Sequence, residues 1–211
     1  MNNLIKKPFT YSYSNFALFI ITINFLVFLL THFSPKYITY LSMNPIIVIK
    51  YQFFWQFVTY MFTHANLSHI FFNMLGLFFF GFPVERKLGS REFLLFYFFC
   101  GISAGVFSFC YYLYTGHPNV FLLGASGAVY AVLFAYAVFF PNSIVYVMGI
   151  IPLKATWLVI IYTIIEIFSQ FKSTGSSNVA HFTHLAGFAF SYLYIWVRLG
   201  INPANVFFRR R

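Results

Sequence analysis

Residues 122–140 read LLGASGAVYAVLFAYAVFF, a stretch without a charged side chain in which Ser126 stands between Gly124-Ala125 and Gly127. A helix needs about 20 apolar residues to cross a bilayer, and this stretch is close to that length. Small residues around Ser126 are typical of sites where one membrane helix packs closely against another. The same residues leave the hydroxyl group uncrowded, as a nucleophile requires. The stretch therefore predicts an apolar helix whose first turn holds either a packing contact or a nucleophile.

The composition of the chain places it in a membrane. Of its 211 residues, 61% are apolar and 8% are charged, whereas soluble domains carry about 25% charged residues. We therefore expect an all-α polytopic membrane protein. Its length allows a single domain, residues 1–211, with six transmembrane helices of about 20 residues each. The apolar runs that predict these spans cover roughly residues 14–33, 67–84, 93–114, 124–140, 155–171 and 182–199.

The connection between the first two predicted spans, residues 34–66, differs from the other connections. It contains Pro35, Pro45 and the aromatic-rich stretch YQFFWQF at 51–57. The segment is too polar to cross a bilayer and too apolar to be a free linker. We therefore expect a structured loop or an amphipathic helix that lies in the membrane interface.

The net charge of +10 is concentrated at the ends of the predicted spans. Nucleic-acid-binding proteins carry basic residues in a stripe with polar surroundings, so this pattern argues against a nucleic-acid partner. Lys and Arg instead mark the cytoplasmic side of a membrane protein. Ten of them lie on one side and three on the other, which predicts that both termini are cytoplasmic. The ten are Lys6, Lys7, Arg86, Lys87, Arg91, Lys154, Arg198, Arg209, Arg210 and Arg211, and the three are Lys36, Lys50 and Lys172.

This orientation brings polar side chains from three spans to one depth. The second, fourth and sixth predicted spans all run from outside to inside, so their first turns lie level near the outer face. Ser126 begins the fourth span, His69 lies in the second with His64 just before it, and His181 and His184 begin the sixth. A serine level with several imidazoles indicates a nucleophile and a general base.

Helical spacing indicates which of these groups can meet. His181 and His184 share a face of the sixth span. Gly187 follows His184 by one turn and removes a side chain that would hold a neighbouring helix away. If that neighbour is the fourth span, Ser126 Oγ reaches the His184 imidazole at hydrogen-bond distance.

The second span supplies groups suited to a developing oxyanion. His69 and Asn73 are four residues apart and lie on one face of the span. Both side chains donate hydrogen bonds, as does the backbone N–H of Ser126. Tyr130 lies one turn after Ser126 on the same face, where it can support the His184 ring.

In this order, the residues resemble the pattern of the rhomboid intramembrane serine proteases, and the resemblance covers nearly the whole chain. Each motif is short, but all lie in order and in the expected spans. The matching pieces are His69-x-x-x-Asn73, Glu85-Arg86-x-x-Gly89-Ser90, Gly124-x-Ser126-Gly127 and His184-x-x-Gly187.

The resemblance implies a role for each site residue. Ser126 is the nucleophile and His184 the base of a catalytic dyad. His69, Asn73 and the Ser126 amide hold the oxyanion, Tyr130 stacks on His184, and the glycines of the motifs support the close packing. These glycines are Gly124, Gly127 and Gly187.

The resemblance also implies a six-helix rhomboid-like bundle in which residues 34–66 form the family's membrane-embedded L1 loop and the fifth span stands beside the substrate gate. The implied activity is that of an endopeptidase which cuts single-pass membrane proteins near their outer end. No cofactor or metal is implied. The implied location is the lipid bilayer of a bacterial cell membrane, with the active site open to the outer side.

A dyad without an acid agrees with the composition, because the chain has no aspartate and few glutamates. Glu85, Glu92 and Glu166 are those glutamates. An acid inside a membrane span is by default a functional residue. Glu166 lies in the outer part of the fifth span, and its role stays open at this level.

The chain departs from the family pattern at two places. Ser191 stands where the family often has a second glycine after Gly187, and Trp55-Gln56 stands where it often has Trp-Arg. Serine is still small, so the helix packing at that position should survive. The change at Gln56 bears on how the L1 loop is anchored.

Two other classes of function are open. An inactive rhomboid-like protein would bind membrane clients without cutting them, although such relatives typically lose the serine or the histidine. A metal or haem protein would use His64, His69, His181 and His184, but the sequence has no His-Glu-x-x-His motif and no carboxylate ligand evident near them. We expect His181 to be structural and His64 to form hydrogen bonds within L1.

Overall fold

The helices follow the apolar runs of the sequence. The computed structural model describes residues 8–147, 149–172 and 176–208, and within these ranges it leaves out the side chains of 170–172, 176–180 and 208. In chain order the helices are α1 (Phe16–Phe33), α2 (Lys36–Leu41), α3 (Pro45–Tyr51), α4 (Gln56–Thr59), α5 (Leu67–Gly76), α6 (Phe82–Leu88), α7 (Ser90–Tyr114), α8 (Ser126–Phe139), α9 (Ala155–Lys172), α10 (Ser176–Leu199) and α11 (Ala204–Phe208).

The chain is an integral membrane protein with a helical bundle, as its composition predicts. By length and composition, three stretches of helix in the described ranges can cross a membrane: Phe16–Phe33, Leu67–Leu88 and Ser90–Tyr114. The second of these joins α5 to α6 through a π-helical turn at Leu77–Gly81. The apolar helices α8 and Ala155–Ser169 are shorter. The number of six spans and the single-domain boundaries stay predictions. The orientation inferred from the basic residues also stays a prediction, since Lys6, Lys7 and Arg209–Arg211 lie outside the described residues.

Helix α8 is the central helix of the bundle. It packs against α7, α9 and α10, and α10 also packs against α7. Small side chains on α8 allow these close contacts, because Ala128, Ala131, Ala135 and Ala137 are all buried. The 14 residues of α8 extend over about 21 Å, which is shorter than the ~30 Å of a hydrocarbon core.

The Glu85-Arg86-x-x-Gly89-Ser90 motif anchors the start of α1. The buried Glu85 carboxylate accepts hydrogen bonds from the backbone N–H groups of Phe16 at 2.7 Å and Ala17 at 2.9 Å. These are among the first N–H groups of α1, which have no partner within the helix. Ser90 donates a further hydrogen bond to Glu85. Gly89 makes the turn between α6 and α7 with a φ of +82°, a conformation that favours glycine.

The L1 segment, residues 34–66, is a structured loop with three short helices and a 3₁₀ turn at Tyr60–Phe62. Gln56 anchors it from the inside, because its side chain is fully buried. Its Nε2 donates to the carbonyl groups of Thr39 and Tyr40, and its Oε1 accepts from the backbone N–H of Asn44. An uncharged amide therefore holds the loop together at the position where the resemblance leads one to expect arginine.

A two-stranded antiparallel hairpin joins α8 to α9. Strand β1 (Ile144–Val147) pairs with β2 (Ile151–Lys154), and Ile144 lies opposite Lys154. Branched side chains in both strands favour extended backbone. Gly149, with a φ of +74°, lies in the turn between them.

Candidate active site

The loop before α8 places Ser126 at the first residue of the helix. Backbone-to-backbone hydrogen bonds tie this loop to L1: Met43 and Leu122 form a β-bridge, and Gly124 N–H donates to the Tyr60 carbonyl at 2.9 Å. Gly124 has a φ of +118°, which favours glycine, and a methyl group at its Cα would lie 2.7 Å from His69 Nε2. The absence of a side chain at Gly124 therefore lets His69 approach the loop.

Helices α8 and α10 touch at two glycines. A methyl group at Gly187 would lie 2.2 Å from the carbonyl oxygen of Gly127, so the two backbones are in direct contact. A methyl group at Gly127 would lie 3.2 Å from the side chain of Thr183. This is the close approach that Gly187 predicts for the fourth and sixth spans.

The contact brings Ser126 and His184 together. His184 Nε2 lies 2.8 Å from Ser126 Oγ. The ring of Tyr130 stacks on the His184 ring, with 4.2 Å between centroids and 11° between planes. Both Ser126 and His184 are half-buried. The arrangement matches that of a hydroxyl nucleophile with an adjacent imidazole base.

The other ring nitrogen of His184 meets an acid. Glu166 Oε1 lies 2.9 Å from His184 Nδ1 and accepts a hydrogen bond of 2.5 Å from Tyr130 Oη. Glu166 Oε2 is hydrogen-bonded to His181 Nδ1. The expectation that no acid accompanies the serine and histidine is therefore wrong. His181, expected to be structural only, contacts this acid as well.

The predicted oxyanion residues, His69 and Asn73, lie in α5. His69 is half-buried beside Gly124. Asn73 is buried, and its Nδ2 donates to the His69 carbonyl at 2.9 Å. An amide nitrogen carries two hydrogens, so this bond leaves one for another acceptor.

His64 contacts the loop before α8 as well as the backbone of Phe62 within L1. Its side chain is 2% exposed, and its Nε2 accepts a hydrogen bond from the backbone N–H of Ala125 at 3.5 Å. Its ring lies edge-on to that of His69, with 5.0 Å between centroids. Burial, with His69 as the second cause, lowers the pKa of His64 to about 3. Neutral His64 is therefore a support of the active-site loop, which sequence spacing alone did not indicate.

The four histidines form two separate pairs, and one pair has a carboxylate. Ligand atoms of Glu166, His181 and His184 lie within 4.8 Å of one another, a set that can hold a metal ion. The argument that no carboxylate lies near the histidines is therefore wrong. These ligand atoms are nevertheless hydrogen-bonded to one another, and His184 also reaches Ser126.

Comparison with known proteins places this geometry in a family. The family model described as Rhomboid domain matches residues 51–201. The chain is 29% identical over 155 residues to RHOMBOID-like protein 12, mitochondrial, of Arabidopsis thaliana, an alignment that covers 67% of this chain and 45% of the relative. It is 37% identical over 79 residues to Rhomboid protease GluP of Bacillus subtilis, covering 37% of this chain and 14% of the relative.

A third relative is Rhomboid-related protein 1 of Caenorhabditis elegans, 27% identical over 139 residues, which cover 63% of this chain and 36% of the relative. The chain thus spans less than half the length of each of these three relatives. The family model covers more than half of the chain. The chain belongs to the rhomboid family.

Proposed function

We propose that this protein is an intramembrane serine endopeptidase that cuts single-pass membrane proteins near the outer face of the bilayer. The observation that carries the proposal is the 2.8 Å distance between Ser126 Oγ and His184 Nε2 at the start of α8. Membership of a family that includes named rhomboid proteases supports a protease in the membrane. Both reactive side chains are present, which favours an enzyme over an inactive client-binding relative.

The chemistry follows from this pair. Ser126 Oγ attacks the carbonyl carbon of the scissile peptide while its proton passes to His184 Nε2. The electron pair of the carbonyl moves onto its oxygen. His184 then gives the proton to the leaving amine as the C–N bond breaks. Water releases the acyl group by the same steps, with His184 again as the base.

The negative oxygen needs donors, and the start of α8 supplies one. The backbone N–H of Ser126 belongs to the first turn of the helix, where N–H groups have no partner within the helix. The positive end of the helix dipole lies at the same place. We assign His69 and the second N–H of Asn73 as the side-chain donors, because His69 lies beside Gly124 and Asn73 is hydrogen-bonded to the His69 carbonyl.

The lengths of the helices support a site below the membrane surface. At about 21 Å, α8 is too short to cross the hydrocarbon core. A helix that ends at the cytoplasmic side therefore begins inside the membrane, with Ser126 at its buried end. The count of basic residues supports cytoplasmic termini and a site that opens to the outer aqueous phase. We propose the cell membrane of a bacterium as the location.

The test is reaction of Ser126 with a fluorophosphonate and cleavage of a panel of tagged single-span proteins, both with the purified chain. We expect Ser126→Ala and His184→Ala to abolish cleavage and labelling while both variants stay folded. The double variant should be no worse than either single variant, because the two residues act as one unit.

Matched controls come from a serine and a histidine outside the site. Ser143, whose Oγ donates to the Phe140 carbonyl, and His117, exposed before α8, provide Ser143→Ala and His117→Ala. Both should keep wild-type activity. Cleavage that persists in Ser126→Ala, or losses that multiply in the double variant, would contradict the assignment.

A further inference from the structure

Glu166 differs from the other two glutamates in what it contacts. Glu85 accepts from the start of α1, and Glu92 forms an ion pair with Arg198 and accepts from Tyr194. Those two acids hold the ends of helices in place. The partners of Glu166 are instead the candidate base His184 and two residues that contact or adjoin it.

Both oxygens of the Glu166 carboxylate are engaged, and 4% of the residue is exposed. Oε1 contacts His184 Nδ1 and Tyr130 Oη, whereas Oε2 contacts His181 Nδ1. The contacts come from both helices that pack against α9 at this end, α8 and α10. The carboxylate is therefore held in one orientation by Tyr130 and His181, with one oxygen directed at His184.

A carboxylate in this position determines the state of the base. An ionised carboxylate only accepts hydrogen bonds, so His184 Nδ1 carries a proton. Nε2 then presents its lone pair to Ser126 Oγ, as a general base must. The tautomer of a histidine is set by the hydrogen bond of its other nitrogen.

The charge of Glu166 also acts during the reaction. When His184 takes the proton of Ser126, the imidazolium forms beside the carboxylate, and attraction between opposite charges is strong where water is scarce. An acid inside a membrane is costly unless it is paired or used. Glu166 takes up no proton itself. Its contribution is to orient His184 and to stabilise its charged form.

We propose that Glu166 is a positioning residue that completes a Ser126–His184–Glu166 triad in this rhomboid, with His181 holding the second carboxylate oxygen. The proposal rests on the proposed function of Ser126 and His184. It replaces a two-residue arrangement with one in which a neighbouring helix, α9, supplies the third member.

The test compares Glu166→Gln with Glu92→Gln in the full chain, purified in detergent. Both variants remove the charge of a buried glutamate and keep its shape, but only the first lies beside His184. We expect Glu166→Gln to lower kcat and the rate of fluorophosphonate labelling at Ser126 by on the order of 10²–10⁴-fold, with KM little changed. Glu92→Gln should lower the unfolding temperature and leave kcat per folded molecule unchanged.

A second variant covers the case in which Glu166→Gln does not fold. Glu166→Asp keeps the charge but draws it back from His184 by one methylene group, so its labelling rate should lie between those of wild type and Glu166→Gln. A fully active, folded Glu166→Asp beside an unfolded Glu166→Gln would overturn the proposal, because the position of the carboxylate would not matter. Equal labelling of folded Glu166→Gln and wild type would overturn it as well.

Two further outcomes are separable. If folded wild-type protein neither labels at Ser126 nor cleaves any substrate, the proposed function fails and the triad fails with it. If wild type is active and Glu166→Gln is equally active, only the triad fails. Elemental analysis of the purified chain addresses the metal alternative: zinc bound in a 1:1 ratio, whose removal by a chelator abolishes activity, would overturn the triad in favour of a metal site at Glu166, His181 and His184.

Discussion

Two pairs of histidine side chains lie near the start of α8. The ring of His64 in L1 contacts that of His69 in α5, and the rings of His181 and His184, both in α10, form the second pair. The two pairs differ in their surroundings, since a carboxylate joins the second pair and none of the described contacts brings one to the first. Burial keeps His64 neutral, whereas the rings of His181 and His184 each have a nitrogen hydrogen-bonded to Glu166. The same residue type therefore supports a loop in the first pair and includes the proposed base in the second.

The neutral state of His64 predicts an acid-sensitive fold. Its pKa falls from 6.5 in the unfolded chain to about 3 in the folded protein, so the unfolded chain binds more protons below pH 6.5. The stability that depends on neutral His64 is complete above pH 6.5 and is lost as the pH falls toward 3. His64→Gln cannot gain a proton, so its unfolding temperature should fall less between neutral and acid pH.

Thermal unfolding of wild type and His64→Gln in detergent at a series of pH values checks the predicted acid sensitivity. His117→Gln, at an exposed residue of the loop before α8, is the control and should follow wild type. Parallel curves for His64→Gln and wild type would show that His64 does not titrate differently in the folded protein.

The crossing of α8 and α10 sets the distance between Ser126 Oγ and His184 Nε2. Its contact point, Gly127 against Gly187, is adjacent to Ser126 on α8 and about one turn from His184 on α10. Ser191 extends the contact further along α10, since it is fully buried and donates to the Ala131 carbonyl at 2.9 Å. A small polar residue thus replaces the expected glycine and adds a hydrogen bond between the helices.

Gly187→Ala tests the crossing. The added methyl group would lie 2.2 Å from a backbone oxygen, which cannot move without its helix. We expect a loss of about 1–3 kcal/mol in the free energy of unfolding. The folded fraction should label with fluorophosphonate about 10²-fold more slowly, because a small shift between reacting groups is costly.

Gly76→Ala is the matched control. There the methyl group would lie 2.8 Å from a side-chain methyl group of Val129, which is able to rotate away. Unfolding temperature and labelling rate should both change less than in Gly187→Ala. Equal effects of the two variants would indicate that the α8–α10 contact has no special role.

Over the whole molecule, the buried acids divide between the two ends of the bundle. Glu85 and Glu92 hold the end that contains the start of α1 and the end of α10, where Arg198 lies. Glu166 lies at the other end with Ser126. Among the described basic residues assigned to the cytoplasm, Arg86, Lys87, Arg91 and Arg198 lie at the first end, which predicts that the second end faces outward.

Single cysteines in a background without Cys100 and Cys110 test this orientation. We expect Asn119→Cys to react with a membrane-impermeant thiol reagent in intact cells. Lys87→Cys and Asn205→Cys should react only after lysis. All three positions are exposed, so their accessibility differs only by side. The reverse pattern would place Ser126 at the cytoplasmic end and contradict the site assignment.

The sequence by itself determined the class of protein and the positions of its helices. Charge is so scarce that only a membrane can solvate the chain. Apolar runs mark α1 and α5 to α9 to within a few residues, whereas α10 begins at Ser176, six residues before its predicted start. The sequence also singled out Ser126, His184 and Gly187, because the spacing of each motif within its own helix is a local property. The family followed from the same residues.

Only the tertiary structure decided how the base is held. His184 contacts Ser126, which is 58 residues away in the sequence, and Glu166, which is 18 residues away. Tyr130 contacts Glu166 over a separation of 36 residues. Periodicity shows which face of a helix a residue occupies, but the rotation of α9 against α8 and α10 depends on the packing of the whole bundle. The burial of Gln56 in L1 and the contact of His64 with Ala125 are of the same kind. Each joins segments whose relative position no local pattern encodes.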